Sequence, residues 1–285
     1  MPIRTFVIAE CCSSWRFGPE SQHLNNAYRM ISAAKEAGAD AAKFQWTSDP
    51  HLMSQRRNDY EPKNYEILVY PFEWLEKLKT KCDEIGIAFM TTVFVAKDIP
   101  RIAPLVDRFK VASAESSDLA FIEAHTDYDK FMIISWAFGS IPNYGLLLNQ
   151  GKEISNLLCV CSYPTPLEQL NLRRLSAVPN ERFQAMIKQF SGLSDHTTST
   201  LTGALAVACG ATVIEKHVKL WDTPKDNPDY PHSLSFDCDR CGDFGHRCFD
   251  AYVENIREAE LALGSGENQM MPCEEVNLGR RVKVN

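Results

Sequence analysis

Short apolar runs alternate with longer amphipathic stretches from one end of the chain to the other. Runs of strand length, rich in β-branched and aromatic residues, stand at TFVIAE (5–10), AAKFQ (41–45), IAFMTT (87–92) and FKVAS (109–113). FMIIS (131–135), LLCVC (157–161), a weaker SGLSD (191–195) and ATVIEKH (211–217) follow. Between them, helical spacing covers 22–37, 72–84, 98–107, 117–125, 167–176, 199–209 and 247–263. A helix is also expected between the fifth and sixth strands, over roughly 136–156, although WAFGSIPNYGLLLNQGKE is a poor helical sequence. The turns AGAD (37–40) and CGAT (209–212) end helices and lead into strands, with glycine supplying a left-handed C-cap.

Strands alternating with helices, eight times and without a break in composition, predict a parallel α/β architecture. The number eight favours a closed (β/α)8 barrel of the TIM type, a single domain over 1–267 with 268–285 as a tail. Neither GxGxxG nor GxxxxGK[ST] occurs, so no nucleotide fingerprint supports an open doubly wound sheet. The segment 46–71 is the longest without clear periodicity and reads as a loop. Following the second strand, it would lie on the face where barrel enzymes build their active sites.

Composition narrows this further. The chain has 285 residues, enough for one large core, and no run long and apolar enough to span a membrane. The apolar start runs straight into Glu10 without a small-residue cleavage site, which argues against a secretory signal and for the cytoplasm. A net charge of −7 argues against a nucleic-acid or anionic-membrane surface. The ten cysteines are dispersed, several within apolar runs, and read as free thiols in a reducing compartment. CDRC (238–241), with His246 and Cys248 nearby, is a single compact cluster and is not expected to hold structural zinc.

The chemistry lies where the strands end: Glu10; Lys43 and Gln45; Thr91 and Thr92; Lys110, Ser113 and Glu115; Ser135; Tyr163; Asp195 and His196; Lys216 and His217. Any one of these is as readily an ordinary loop start, but a barrel brings all of them to one mouth. Lysines and hydroxyls there describe a site for a small multiply charged anion. His196 and His217 could share a divalent metal, with Asp229 or Glu10 in support, and open positions suit catalytic Mn²⁺, Zn²⁺ or Fe²⁺. Glu115, near Lys110, is a candidate acid or base.

LSDHT (193–197) and IEKH (214–217), separated by an alanine-rich helix, resemble the sialic acid synthase (N-acetylneuraminate synthase) family. So do AGADAAKFQ (37–45), KVASAE (110–115), CSYPTP (161–166) with Asn171 and Leu172, and IREAELALGSG (256–266), collinear over essentially the whole chain. The resemblance implies a TIM barrel that condenses phosphoenolpyruvate with an open-chain N-acyl amino sugar, releases phosphate and requires a divalent metal, typically Mn²⁺. By that resemblance Lys43, Thr92, Lys110, Ser113 and Ser194 hold phosphoenolpyruvate, with Lys216 also counted as substrate-binding. His196 and His217 bind the metal, Gln45, Tyr163 and Asp229 orient the sugar, Glu115 assists water, and Glu10 supports the metal site. Asp229, Glu10, Lys110 and Glu115 form the catalytic set.

The chain departs from the family pattern on the substrate face. CCSSWRFG follows Glu10 where the family has Gly and an Asn-His pair. Ser135-Trp136-Ala137 replaces Ser-Thr-Gly, Cys161 stands where Asn is common, and Val93 where Pro is usual. The family's antifreeze-like C-terminal domain, which helps form the dimer and donates an arginine, has no counterpart before the chain ends at Asn285, leaving a homodimer allowed but not implied. Two further readings stand beside the synthase. One is a barrel that binds ligand without turnover, as a binding or scaffold protein. The other is a Schiff-base aldolase using Lys110 or Lys216.

Overall fold

The computed structural model describes residues 4–58, 61–139, 153–176, 178–180, 185–187, 189–236, 248–267 and 271–280. Strand β1 (Phe6–Cys12) pairs in parallel with β2 (Ala41–Gln45), and the ladder continues through β3 (Ala88–Thr92), β4 (Arg108–Val111), β5 (Phe131–Trp136) and β6 (Ile154–Cys159). An antiparallel ribbon, β7 (Val178–Asn180) with β8 (Ala185–Ile187), stands apart from it. The ladder resumes with β9 (Gly192–Asp195) and β10 (Val213–Lys219), and β10 returns to β1 in register from Phe6↔Val213 to Glu10↔His217. Eight parallel strands therefore close into a (β/α)8 barrel as one TIM-type domain, and a short β11 (Leu234–Ser235) extends β10 outside the circle.

Around the barrel lie α1 (Glu20–Glu36), α2 (Pro50–Arg57), α3 (Phe72–Ile85), α4 (Ile99–Ile102), α5 (Leu119–Thr126), α6 (Thr202–Ala208) and α7 (Phe249–Leu263). None of the described helices is long and apolar enough to cross a membrane. Gly38 and Gly210 take φ of +83° and +88° at the turns that send the chain from helix to strand, a conformation open to glycine.

Alternation along each strand divides the core into two shells. Val7, Ala9, Phe44, Phe89, Phe109, Ile134, Leu193 and Ile214 face outward, into the layer shared with the helices. Ile8, Ala41, Met90, Ile133, Leu157 and Val213 face inward and plug the barrel as a separate apolar layer. Burying each such Leu, Ile or Phe contributes about 1.5–3 kcal/mol. The inward residues one step further along carry the polar groups.

Where the structure departs from the periodicity, local chemistry explains it. The stretch 98–107 is α-helical only over Ile99–Ile102, because Pro104 has no N–H to extend the ladder and its ring opposes the preceding turn. The expected helix over 167–176 is two 3-10 turns, divided at Asn171, whose φ of +51° no helix accommodates. The segment 46–71, expected as a loop, contains α2 and a 3-10 turn at Pro62–Leu68. Asp49 caps α2 by accepting from Leu52 N at 2.9 Å, Pro50 sits in its first turn, and Asn58 closes it in the left-handed region. The helix expected over 136–156 falls mostly at 140–152, outside the described residues, as do Cys238 and Cys241 of CDRC. Seven cysteines are free as expected, but Cys248 is disulfide-bonded, so dispersal along the sequence did not guarantee free thiols throughout.

Candidate active site

Above the apolar plug, Glu10, Lys43, Thr92, Lys110, Ser135, Ser194 and Glu215 project inward from seven different strands. Glu10 and Lys43 pair directly across β1 and β2. Lys43 Nζ donates to Thr92 Oγ1 at 2.9 Å, and Lys110 Nζ donates to Ser135 Oγ at 2.8 Å. Glu215 lies between the lysines, 3.5 Å from Lys43 Nζ and 3.7 Å from Lys110 Nζ, and accepts from Ser194 Oγ at 3.0 Å. Two cations and two carboxylates thus form a buried, internally neutral layer. Burial pulls the Lys43 ammonium down to about 8 despite the carboxylate beside it. Burial also works against the charge of Glu215, but Lys110 and Lys43 outweigh it and hold the carboxyl below its usual range. An anion that displaced Glu215 would find both lysines already converging.

The rim carries the imidazoles. His196 directly follows β9 and His217 lies near the end of β10, with ring centroids 5.3 Å apart. His196 Nδ1 lies 2.9 Å from Val160 O, which leaves Nε2 as the free ring nitrogen, while His217 Nδ1 is buried without a hydrogen-bond partner. Burial lowers His196 to about 4 and holds His217 well below the usual imidazole range, so both are neutral donors of a lone pair. The half-exposed Tyr163 ring lies 4.3 Å from that of His196. Asp229 reaches over from the loop after β10 to accept from Ser13 N at 2.8 Å and from the Ser13 hydroxyl. Its Oδ1 lies 3.8 Å from His217 Nδ1. Atoms of Cys12, His217 and Asp229 lie within 4.8 Å of one another. Neutral imidazole, carboxylate and thiol, with an orphaned ring nitrogen among them, are a donor set that fits a divalent cation.

Glu115 stands at the end of the fourth unit, buried, and Arg57 of α2 grips it with Nε to Oε1 at 2.9 Å and Nη2 to Oε2 at 3.1 Å. Burial pushes the Glu115 carboxyl up, and the arginine pulls it back only in part. Ser113 is buried just past β4, and Gln45 ends β2 half-buried.

Of the residues singled out from the sequence, Glu10, Lys43, Thr92, Lys110, Ser194, His196, His217, Tyr163 and Asp229 come together, and Ser113, Glu115 and Gln45 stand at neighbouring strand ends. Lys216 does not join them. It points outward between β9 and β10, where its Nζ meets Asp195 Oδ2 at 3.0 Å and Thr197 O at 2.6 Å, fully buried against Tyr252. Glu10 meets Lys43 rather than an imidazole. The sequence reading passed over Glu215, although strict alternation from His217 marks it as inward, and over Cys12, where the register shift after Glu10 breaks the alternation. Arg57 and His232 had no local signal. The ring of His232 lies 4.5 Å from that of His217 through a contact made only in three dimensions.

The chain resembles proteins of known role over nearly its whole length. It is 31% identical to pseudaminic acid synthase of Campylobacter jejuni, with 93% of this chain and 76% of that protein aligned. It is 29% identical to N,N'-diacetyllegionaminic acid synthase of Legionella pneumophila, covering 93% and 74% respectively. The same barrel occurs in an N-acetylneuraminic acid synthetase from Leptospira borgpetersenii, with TM-score 0.79, 23% identity, and 98% of this chain and 91% of that one covered. Residues 30–268 match the NeuB family, so the chain that closes this barrel around paired lysines and histidines belongs to the NeuB family.

Proposed function

We propose that this barrel condenses phosphoenolpyruvate with an N-acyl amino sugar aldehyde to give a nine-carbon 2-keto sugar acid, releasing phosphate. The observation that carries the proposal is the buried pair Lys43 and Lys110, bridged by Glu215 and ringed by the hydroxyls of Thr92, Ser135 and Ser194. Such a pocket suits a ligand that bears both phosphate and carboxylate. Ser113 completes the anion cradle. The likeness to pseudaminic and legionaminic acid synthases supports the nine-carbon product class.

His196 and His217 would hold a divalent metal such as Mn²⁺, which when bound supplies Lewis-acid polarisation of the acceptor aldehyde. Gln45, Tyr163 and Asp229 lie where they can orient the sugar chain. The enol carbon of phosphoenolpyruvate attacks the aldehyde carbon, and Glu115, its carboxyl raised by burial, would then take a proton from the water that adds to the resulting cationic carbon bearing the phosphate. Collapse of that adduct breaks the carbon–oxygen bond and expels phosphate. Lys43 and Lys110 neutralise the leaving group's charge. The acceptor and phosphoenolpyruvate are soluble metabolites, consistent with work in the cytoplasm.

A phosphate-release assay with phosphoenolpyruvate and Mn²⁺ against N-acetylmannosamine, its 6-phosphate and bacillosamine-type sugars tests the reading. Phosphate release that needs both a sugar and the metal supports it. No release with any acceptor, under conditions where phosphoenolpyruvate binds, overturns turnover and leaves a binding protein. Borohydride trapping of a keto substrate on a lysine would favour a Schiff-base aldolase instead.

A further inference from the structure

The end of β1 is irregular in a way that the anion cradle does not use. The β1–β2 ladder shifts register between Glu10 and Cys12, and Cys12 takes φ +37°, a left-handed conformation uncommon for a residue with a Cβ. Bulges of this kind re-aim a side chain. Here the shift brings the buried Cys12 thiol to the mouth, beside His217 and Asp229.

The surroundings of those three groups have the features of a ligand set. Asp229 is fixed from behind, with Oδ2 engaged by the Ser13 N–H at 2.8 Å and by the Ser13 hydroxyl, which leaves Oδ1 turned toward the histidines. Its own N–H donates to Asn227 Oδ1 at 3.0 Å, its carbonyl accepts from Ser233 Oγ at 2.7 Å, and Asn227 Nδ2 returns to Ser13 O at 3.1 Å. Outer hydrogen bonds of this kind orient a metal-binding carboxylate. His217 Nδ1 and His232 Nδ1 are buried without a hydrogen-bond partner, while His232 Nε2 faces Asp229 Oδ1 at 3.4 Å. A buried ring nitrogen with nothing to bond is costly unless something binds it.

We propose that Cys12, His217 and Asp229 together hold the cation, with the Cys12 thiolate as a direct ligand and the open coordination position on the His196 and Tyr163 side. A Cys-His-Asp set with one open position selects a thiophilic, borderline metal, Zn²⁺ or Co²⁺, over Mn²⁺. The proposal rests on the reading above only in taking the barrel mouth as a metal site with His217 as a ligand; it moves Asp229 from the sugar to the metal, turns His196 from a ligand into a neighbour of the open position, and replaces Mn²⁺ with Zn²⁺ or Co²⁺.

The test uses the whole protein, stripped by chelator and reloaded with Co²⁺. A sulfur-to-cobalt charge-transfer band in the near ultraviolet is expected, lost in Cys12→Ser while weaker d–d absorption persists, and retained in Cys159→Ser. Zn²⁺ affinity should fall about tenfold or more in Cys12→Ser, with Mn²⁺ affinity nearly unchanged. If Cys12→Ser does not fold, X-ray absorption on the zinc-loaded wild type decides: one sulfur scatterer at about 2.3 Å is expected. A shell of nitrogen and oxygen alone, a band that survives Cys12→Ser, or no Co²⁺ binding overturns the proposal. A protein that shows the band but releases no phosphate from phosphoenolpyruvate overturns the proposed reaction and leaves the metal site standing.

Discussion

Lys216 and Asp195 meet at 3.0 Å across β10 and β9, both fully buried, on the face of the sheet turned away from the barrel mouth. Asp195 also accepts from Thr202 Oγ1 at 2.5 Å, Tyr252 OH at 2.8 Å and Thr197 N at 2.9 Å, which ties β9 to α6 and α7. This lysine therefore holds the wall together. Lys216→Met leaves Asp195 as a buried carboxylate without its cation and should cost about 3–5 kcal/mol of stability. Urea melts of Lys216→Met, and of the double variant with Asp195→Leu that should recover part of the loss, check it. A variant as stable as wild type that no longer binds phosphoenolpyruvate would return Lys216 to the substrate site.

Lys110 differs in kind, because its ammonium faces the cavity from a neutral polar layer. Removing one charge-assisted contact to an anion costs about 1.5–3 kcal/mol. Lys110→Ala should accordingly raise the KM for phosphoenolpyruvate by roughly 10- to 150-fold, with a far smaller effect on the acceptor KM. Steady-state kinetics with each substrate varied in turn measures both, and an unaltered phosphoenolpyruvate KM refutes the assignment.

Arg57 reaches Glu115 from a segment that looked like a bare loop. With the guanidinium gone, only Arg56 and a backbone hydrogen bond still act against burial at Glu115, so its carboxyl rises further. If Glu115 is the proton acceptor, the acidic limb of the kcat profile moves to higher pH in Arg57→Ala and returns part of the way in Arg57→Lys. A profile that only scales down, without moving, would assign Arg57 a purely structural part.

His125 of α5 predicts a pH dependence of folding rather than of catalysis. Its ring packs edge-on against Phe109 and Phe121, with centroids 4.9 and 4.8 Å away, and Nδ1 lies 2.8 Å from Phe121 O. Burial lowers it from 6.5 to about 4. Between those values the unfolded chain takes up a proton that the folded one refuses, so stability falls as pH drops from 6.5 toward 4 and levels off below. The loss from this residue is at most about 3 kcal/mol. His125→Met should lose less stability between pH 7 and pH 4.5 than wild type does. Equal losses in the two proteins would show that His125 protonates freely.

The sequence reading and the structure diverge at identifiable places. α4 shortens at Pro104, and Asn171 divides the expected helix over 167–176, both signals written in the residues themselves. So were the caps of α2, Asp49-Pro50 and Asn58. Weighing these against the apolar period would have corrected three elements. Glu215 and Lys216 are the more instructive pair. Adjacent in IEKH, they are chemically alike as strand-end charges, and only counting alternation from His217 sends one to the cavity and the other to the helix layer.

Taken alone, the sequence determined eight alternating units, the closed barrel and the convergence of lysines, hydroxyls and imidazoles at one mouth, because periodicity and parallel topology suffice to bring strand ends together. What the tertiary structure decided is who meets whom: Glu10 with Lys43, Glu215 between two lysines, Arg57 on Glu115, and Cys12 beside His217 and Asp229. Those pairings depend on barrel stagger, on a register shift in β1 and on loops that cross the mouth. Such offsets arise from packing among distant strands, and no local stretch of residues encodes them.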